Sequence, residues 1–121
     1  MSSVLVVDAA NVVGSRADGW WKDRAGAAQR LHDQLVDADV PYDEIVLVLE
    51  GRARQGVAAG GAPALRVVHA SGEGDDEIRR QAELAHGRGC EVAVVTADRA
   101  LAANVARWAD VRGPGWLLGR L

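Results

Sequence analysis

The chain has 121 residues, about half of them apolar, and a formal charge of −3; this suits one domain, residues 1–121, around a single sizeable core. No apolar run reaches the ~18 residues that a membrane span needs, and the opening Met1-Ser2-Ser3 has neither a basic n-region nor an apolar h-region. A soluble, cytoplasmic protein without membrane association is expected. The mild acidity argues against broad nonspecific affinity for nucleic acid. Cys90 is the only cysteine, which excludes an intrachain disulfide, and neither it nor the scattered His32, His69 and His86 has zinc-type spacing.

In chain order, four short apolar runs read as buried strands: Val4–Val7, Ile45–Leu49, Leu65–Val68 and Val92–Val95. Such runs suit a parallel sheet covered on both faces. After the first run, Ala25, Ala28, Leu31, Leu35 and Val36 recur at three- and four-residue spacing from Trp21, which predicts a helix with one buried face that ends before Pro41. Gly51–Pro63, with four glycines, reads as a mobile surface loop. A second helix is expected from about Asp75, with Ile78, Ala82 and Ala85 inward and Gly87 and Gly89 at its end. A third starts near Asp98 and carries Leu101, Ala102, Val105 and Trp108. A fifth strand falls either at Trp116–Leu118 or near Val111. The alternation predicts a three-layer α/β/α sandwich with a central, mostly parallel sheet of four to five strands and right-handed crossovers.

In such a sheet, ligands bind beyond the carboxyl ends of the strands, so the acids there are the informative ones. Asp8 ends the first strand and Glu50 follows the second. Glu73, Asp75 and Asp76 follow the third, and Asp98 follows the fourth. Four segments thus bring carboxylates to one edge. Carboxylates held close repel and raise one another's pKa; a hard divalent cation, Mg²⁺ or Mn²⁺, relieves the repulsion. Two such ions ~4 Å apart can activate water and stabilise the leaving oxygen of a phosphoryl displacement. Asp75, Asp76 and Asp98 also stand where helix caps are favoured. Asp8, by contrast, ends an apolar strand with no evident helix behind it, where an uncompensated carboxylate is costly. Glu50 also reads as a solvated loop acid.

Around these acids, Asn11 can orient phosphate or a metal-bound water, or brace its loop as an Asx turn. Thr96 and Ser71 stand at strand ends, as site hydroxyls or as turn residues. Ser15–Arg24 places Trp20 and Trp21 among basic residues, a composition suited to stacking on bases with contacts to phosphate. Trp21 falls in the apolar stripe of the first helix and reads as core; Trp20 is open between core and stacking. Arg16, Lys22, Arg24, Arg52, Arg54 and Arg99 are candidates for a basic rim. His69 reads as a structural histidine, Cys90 as a small buried residue, and Trp108 and Trp116 as core. No Gly-x-x-x-x-Gly-Lys-Ser/Thr loop is present. Position 10 is alanine, where a haloacid-dehalogenase-like phosphatase needs its second Asp.

Three motifs in order, Val6-Val7-Asp8-Ala9-Ala10-Asn11-Val12-Val13-Gly14, Gly72-Glu73-Gly74-Asp75-Asp76-Glu77-Ile78 and Val94-Val95-Thr96-Ala97-Asp98-Arg99-Ala100-Leu101, make the chain resemble the NYN subgroup of the PIN-like nucleases. The resemblance runs over nearly the whole chain. It implies a compact PIN-like α/β/α fold, Mg²⁺ or Mn²⁺ at acidic residues, and hydrolysis of phosphodiester bonds, since many members cleave RNA. Asp8, Asp75 and Asp98 match the family acids, Asn11 its polar loop partner, and Glu50 a position where an acid, often Asp, occurs. Asp76 is the alternative to Asp75 as metal ligand, although Asp75 places Ile78 at the family's spacing. The resemblance and the residues together lead to the expectation of catalysis by Asp8, Asp75, Asp98 and Glu50; substrate contacts are expected from Asn11 and, on residue type and position alone, from Arg16, Trp20, Arg52, Arg99 and Thr96. The chain departs from the family in being short, acidic and without an evident RNA-binding extension, which leaves room for a small substrate, a protein partner or a homodimer. Related short bacterial sequences are also called nucleoside triphosphate pyrophosphohydrolases, so a nucleotide is the alternative substrate. A non-catalytic PIN-like binding or toxin–antitoxin-type module is the alternative to an enzyme.

Overall fold

Apolar residues on both sides of each strand demand cover on both sides, and the computed structural model, which describes residues 2–121, supplies it. The four apolar runs form β1 (Ser3–Asp8), β2 (Glu44–Leu49), β4 (Leu65–His69) and β5 (Glu91–Val95), with two short strands, β3 (Gly60–Ala62) and β6 (Asp110–Arg112), at the edges. The order across the sheet is β3-β4-β2-β1-β5-β6; β3 is antiparallel to β4 and every other pairing is parallel. Successive side chains alternate between the faces. Leu5 and Val7 join Ile45, Leu47 and Leu49 in one cluster, covered by α1 (Ala9–Gly14), α2 (Arg24–Asp37) and α5 (Pro114–Leu118). Val4 and Val6 join Val46, Val48, Val92 and Val94 in the other, covered by α3 (Gly74–Gly87) and α4 (Arg99–Val105). Each fully buried Leu or Val contributes about 1.5–3 kcal/mol.

The α/β/α sandwich expected from the sequence is therefore present, with six strands in place of four or five. Gly51–Pro63 is not a featureless loop: it folds as a 3-10 turn (Gly51–Gln55) followed by β3, whose Gly60 and Gly61 take φ of 108° and 119°. An exposed three-residue edge strand carries no apolar periodicity to betray it. The last parallel strand lies at Val111. Trp116–Leu118 is helical, because Pro114 at the first helical position presets φ and only Leu117 of that trio is fully buried. The first long helix starts at Arg24, capped by the Asp23 carboxylate accepting from the Gly26 N–H at 2.9 Å, and Trp21 lies before it in a 3-10 turn (Trp20–Lys22). Ala27 joins its buried face and Val36 is 61% exposed. Among the described residues, no helix is long and apolar enough to cross a membrane.

The chain leaves β1 toward β2 and β4 on one side and later returns to β1's other side as β5. The strand order reverses there, which makes the carboxyl ends of β1 and β5 the topological switch point where ligands bind in this class of sheet.

Candidate active site at the carboxyl edge of the sheet

Asp8 ends β1 at the switch point and is 4% exposed. Behind it lies a six-residue helix, contrary to the expectation of none: the Asp8 carboxylate caps α1, accepting from the Asn11 N–H at 3.4 Å. Capping does not account for the rest of its contacts. The Thr96 hydroxyl, across the crevice after β5, donates to Asp8 Oδ2 at 2.8 Å, and the Asn11 amide donates to the same oxygen at 2.7 Å. Thr96 Oγ1 in turn accepts from the Asp98 N–H at 3.1 Å, and Asn11 Oδ1 accepts from the Ala97 N–H at 3.3 Å. Asp98 caps α4 through the Leu101 N–H at 3.0 Å. The loops after β1 and β5 are thus stitched together, with two carboxylates at the seam.

Burial drives the Asp8 carboxyl above the usual carboxylate range; hydrogen bonds from Thr96 and Asn11 oppose that rise and Glu50 adds to it. Asp75, in the first turn of α3, is also pushed up, first by burial and then by the charges of Asp98, Asp8, Glu50 and Glu73. Acids from four separate segments therefore act on one another here. Glu50 is held in place by the Gly74 N–H, which donates to Oε2. A Cβ at Gly74 would meet that carboxylate, so the glycine is what lets Glu50 approach.

Several sequence-derived roles need correction. Asp76 is exposed and paired with Arg79, one turn along α3, so it faces away from the acids that surround Asp75. Thr96 is 3% exposed and committed to Asp8 and the Asp98 backbone, and both ends of the Asn11 amide are engaged within the protein. Both residues position acids. Arg16 donates to Gln34 on α2 at 2.6 Å, and Arg54 ties the Gly51 and Ala70 carbonyls. Arg52 and Arg99 are exposed at the starts of the 3-10 turn and of α4. Trp21, expected in the core, is 58% exposed, and Trp20, open between core and stacking, is partly buried against the core. The reason is that Asp23, at φ −149° and ψ 82°, leaves the helical region between the 3-10 turn and α2, so the helical stripe does not extend back to Trp21. His69 is structural, its Nε2 lying 2.7 Å from the Val57 carbonyl oxygen; Cys90, Trp108 and Trp116 are half-buried at the core's margin. Sequence reasoning missed Gly74; its only signal is a glycine in a helical first turn between acids.

The architecture, a mostly parallel six-stranded sheet flanked by helices, is consistent with the PIN-like NYN fold. No family model matches the chain, and no curated protein matches it. Among solved structures the chain is similar to a single-substitution variant of Rae1 (YacP) from Bacillus subtilis, with a TM-score of 0.63 and 16% identity, covering 98% of this chain and 74% of that one. At that identity the likeness shows a shared fold and nothing more specific.

Proposed function

We propose that the chain is a metal-dependent phosphodiester hydrolase acting on RNA. The observation that carries this reading is the mutual charge of Asp8, Glu50, Asp75 and Asp98, delivered by four segments to the switch point. Such repulsion is maintained against stability unless something offsets it. The donor set is all carboxylate oxygen, which fits Mg²⁺ or Mn²⁺ in kind. Among the described residues, no three His, Cys, Asp or Glu side chains are already closed into one ligand shell. The acids lie within Coulombic reach of one another without forming a finished cage: Asp75 stands in the first turn of α3, and Asp98 is engaged as the cap of α4.

In this proposal Asp8, Asp75 and Asp98 hold the cation, and Glu50 orients water or supports a second ion. A bound divalent ion would supply activation of water and stabilisation of the leaving oxygen. Thr96 and Asn11 keep Asp8 aimed, and Gly74 keeps Glu50 aimed. RNA as the target follows from the resemblance to the NYN subgroup, and the shared fold with Rae1 supports it. The test is a panel of single-stranded and structured RNAs with Mn²⁺ or Mg²⁺, alongside nucleoside triphosphates. Metal-dependent RNA cleavage that Asp98→Asn removes is the expected result. Intact RNA across the panel, or pyrophosphate release from triphosphates alone, would overturn the RNA assignment.

A further inference from the structure

Beside the acids, on the α1–α2 face, lies a cavity of about 220 Å³ whose walls include Trp20, Arg24 and Glu50. Its remaining lining is small and apolar, with Val13, Ala28 and Ala53 among the residues. The Arg24 guanidinium stands over the Trp20 ring at 5.5 Å, and the Trp20 and Trp21 rings meet nearly perpendicular with centroids 6.0 Å apart. Trp20 is therefore held by its neighbours, and it forms part of the cavity wall. Glu50 belongs to both places: it lines the cavity and acts on Asp8 and Asp75.

We propose that this cavity takes a nucleobase of the substrate, seated beside Trp20, with the attached sugar and phosphate led past Glu50 toward the acids. The assignment rests on reading those acids as a phosphodiester site. Phosphate itself is a poor occupant, because the Glu50 carboxylate repels it and an alanine-lined wall cannot solvate it. A flat, largely apolar ring with polar edges suits these walls: Trp20 offers a stacking surface, and the Arg24 cation sits at the same ring to meet a base carbonyl or the adjoining phosphate. Residues with longer side chains at Ala28 or Ala53 would fill the space. These small residues therefore define a size limit, in keeping with one base and not a stacked pair.

The experiment is a titration of the full chain, in EDTA, with adenosine, guanosine, cytidine and uridine, and with ribose as control, followed by amide and indole NMR shifts. Saturable movement of the Trp20 indole N–H and the Ala53 amide with at least one nucleoside, and none with ribose, is expected. Ala53→Leu should weaken that binding by about tenfold or more, the loss expected when one base stack is removed, while Asp98→Asn should keep it. If Ala53→Leu does not give a folded spectrum, Trp20→Leu replaces it. No saturable shift with any nucleoside, equal shifts with ribose, or unchanged binding in a folded cavity variant would overturn the proposal. Because the titration uses neither metal nor cleavage, the two readings fail separately. Nucleoside binding without RNA cleavage would leave the cavity assignment standing and sink the nuclease. Cleavage with no nucleoside binding would do the reverse.

Discussion

The two ends of the sheet carry the same residue types and treat them in opposite ways. At the amino ends of the strands, Glu44 pairs with Arg66 at 3.4 Å and Arg88 at 3.7 Å, and Asp43 accepts from the backbone N–H and hydroxyl of Ser3 at 2.9 and 3.2 Å. Both of these charges have a donor or a cation. At the carboxyl ends, Asp8, Glu50, Asp75 and Asp98 take part in none of the ion pairs among the described residues; their partners are backbone N–H groups, a hydroxyl, an amide and one another. A larger hollow than the one beside Glu50, about 570 Å³, is at the amino ends of the strands, bordered by Ser3, Glu91 and Asp110. Size points one way and chemistry the other. Uncompensated charge is the stronger sign of function, because it lowers stability and a shallow hollow does not.

The largest effect that could break this contrast is on cleavage. Asp98→Asn should reduce metal-dependent RNA hydrolysis to background while leaving the circular dichroism spectrum intact, since asparagine caps a helix as well as aspartate does. Residual hydrolysis near the wild-type rate would remove Asp98 from the site. Next, Thr96→Val deletes the hydroxyl that holds Asp8 Oδ2 and should lower activity by about 10–100-fold, the range for a residue that orients a ligand. A matched loss in Mn²⁺ affinity, read by calorimetry, separates this from simple destabilisation.

The third effect sharpens the contrast through pH. The Asp75 carboxyl is raised above its ordinary value of 3.8, so the folded chain binds that proton more tightly than the unfolded chain. The stability this supplies is complete below the unfolded value and is lost as pH rises through the folded value. Asp75→Asn should therefore flatten that part of the metal-free pH–stability curve and raise stability near neutrality. Thermal melts in EDTA from pH 4 to 8 measure it; a curve parallel to the wild type would show that the acids do not repel. The smallest effect is at the other end: Glu44→Gln should cost less than about 1 kcal/mol and leave cleavage unchanged. A large loss of activity there would erase the distinction between the ends.

The candidate site was legible to the degree that it depends on strand ends. Apolar runs locate β1, β2, β4 and β5, and the acids that follow them must lie at one edge of a parallel sheet. Which acids face one another is not legible in this way. Asp75 and Asp76 are adjacent in sequence but 100° apart on a helix, and only the docking of α3 shows that one faces Asp98 while the other meets Arg79. Trp21 lies outside the core for a similar reason, because the non-helical backbone at Asp23 separates it from α2.

By itself, the sequence determined the class of fold, because continuous apolar strands alternating with amphipathic helices have few other ways to bury both faces. It also determined which edge holds the acids. The tertiary structure decided what each polar group does there. Thr96 and Asp8 are 88 residues apart, and their 2.8 Å hydrogen bond exists only because β5 returns to lie beside β1. Glu50 reaches Gly74 only because that position has no side chain. Hydrogen bonds and charge act over a few ångströms of space, whatever the separation along the chain, so local pattern names the candidates and packing selects among them.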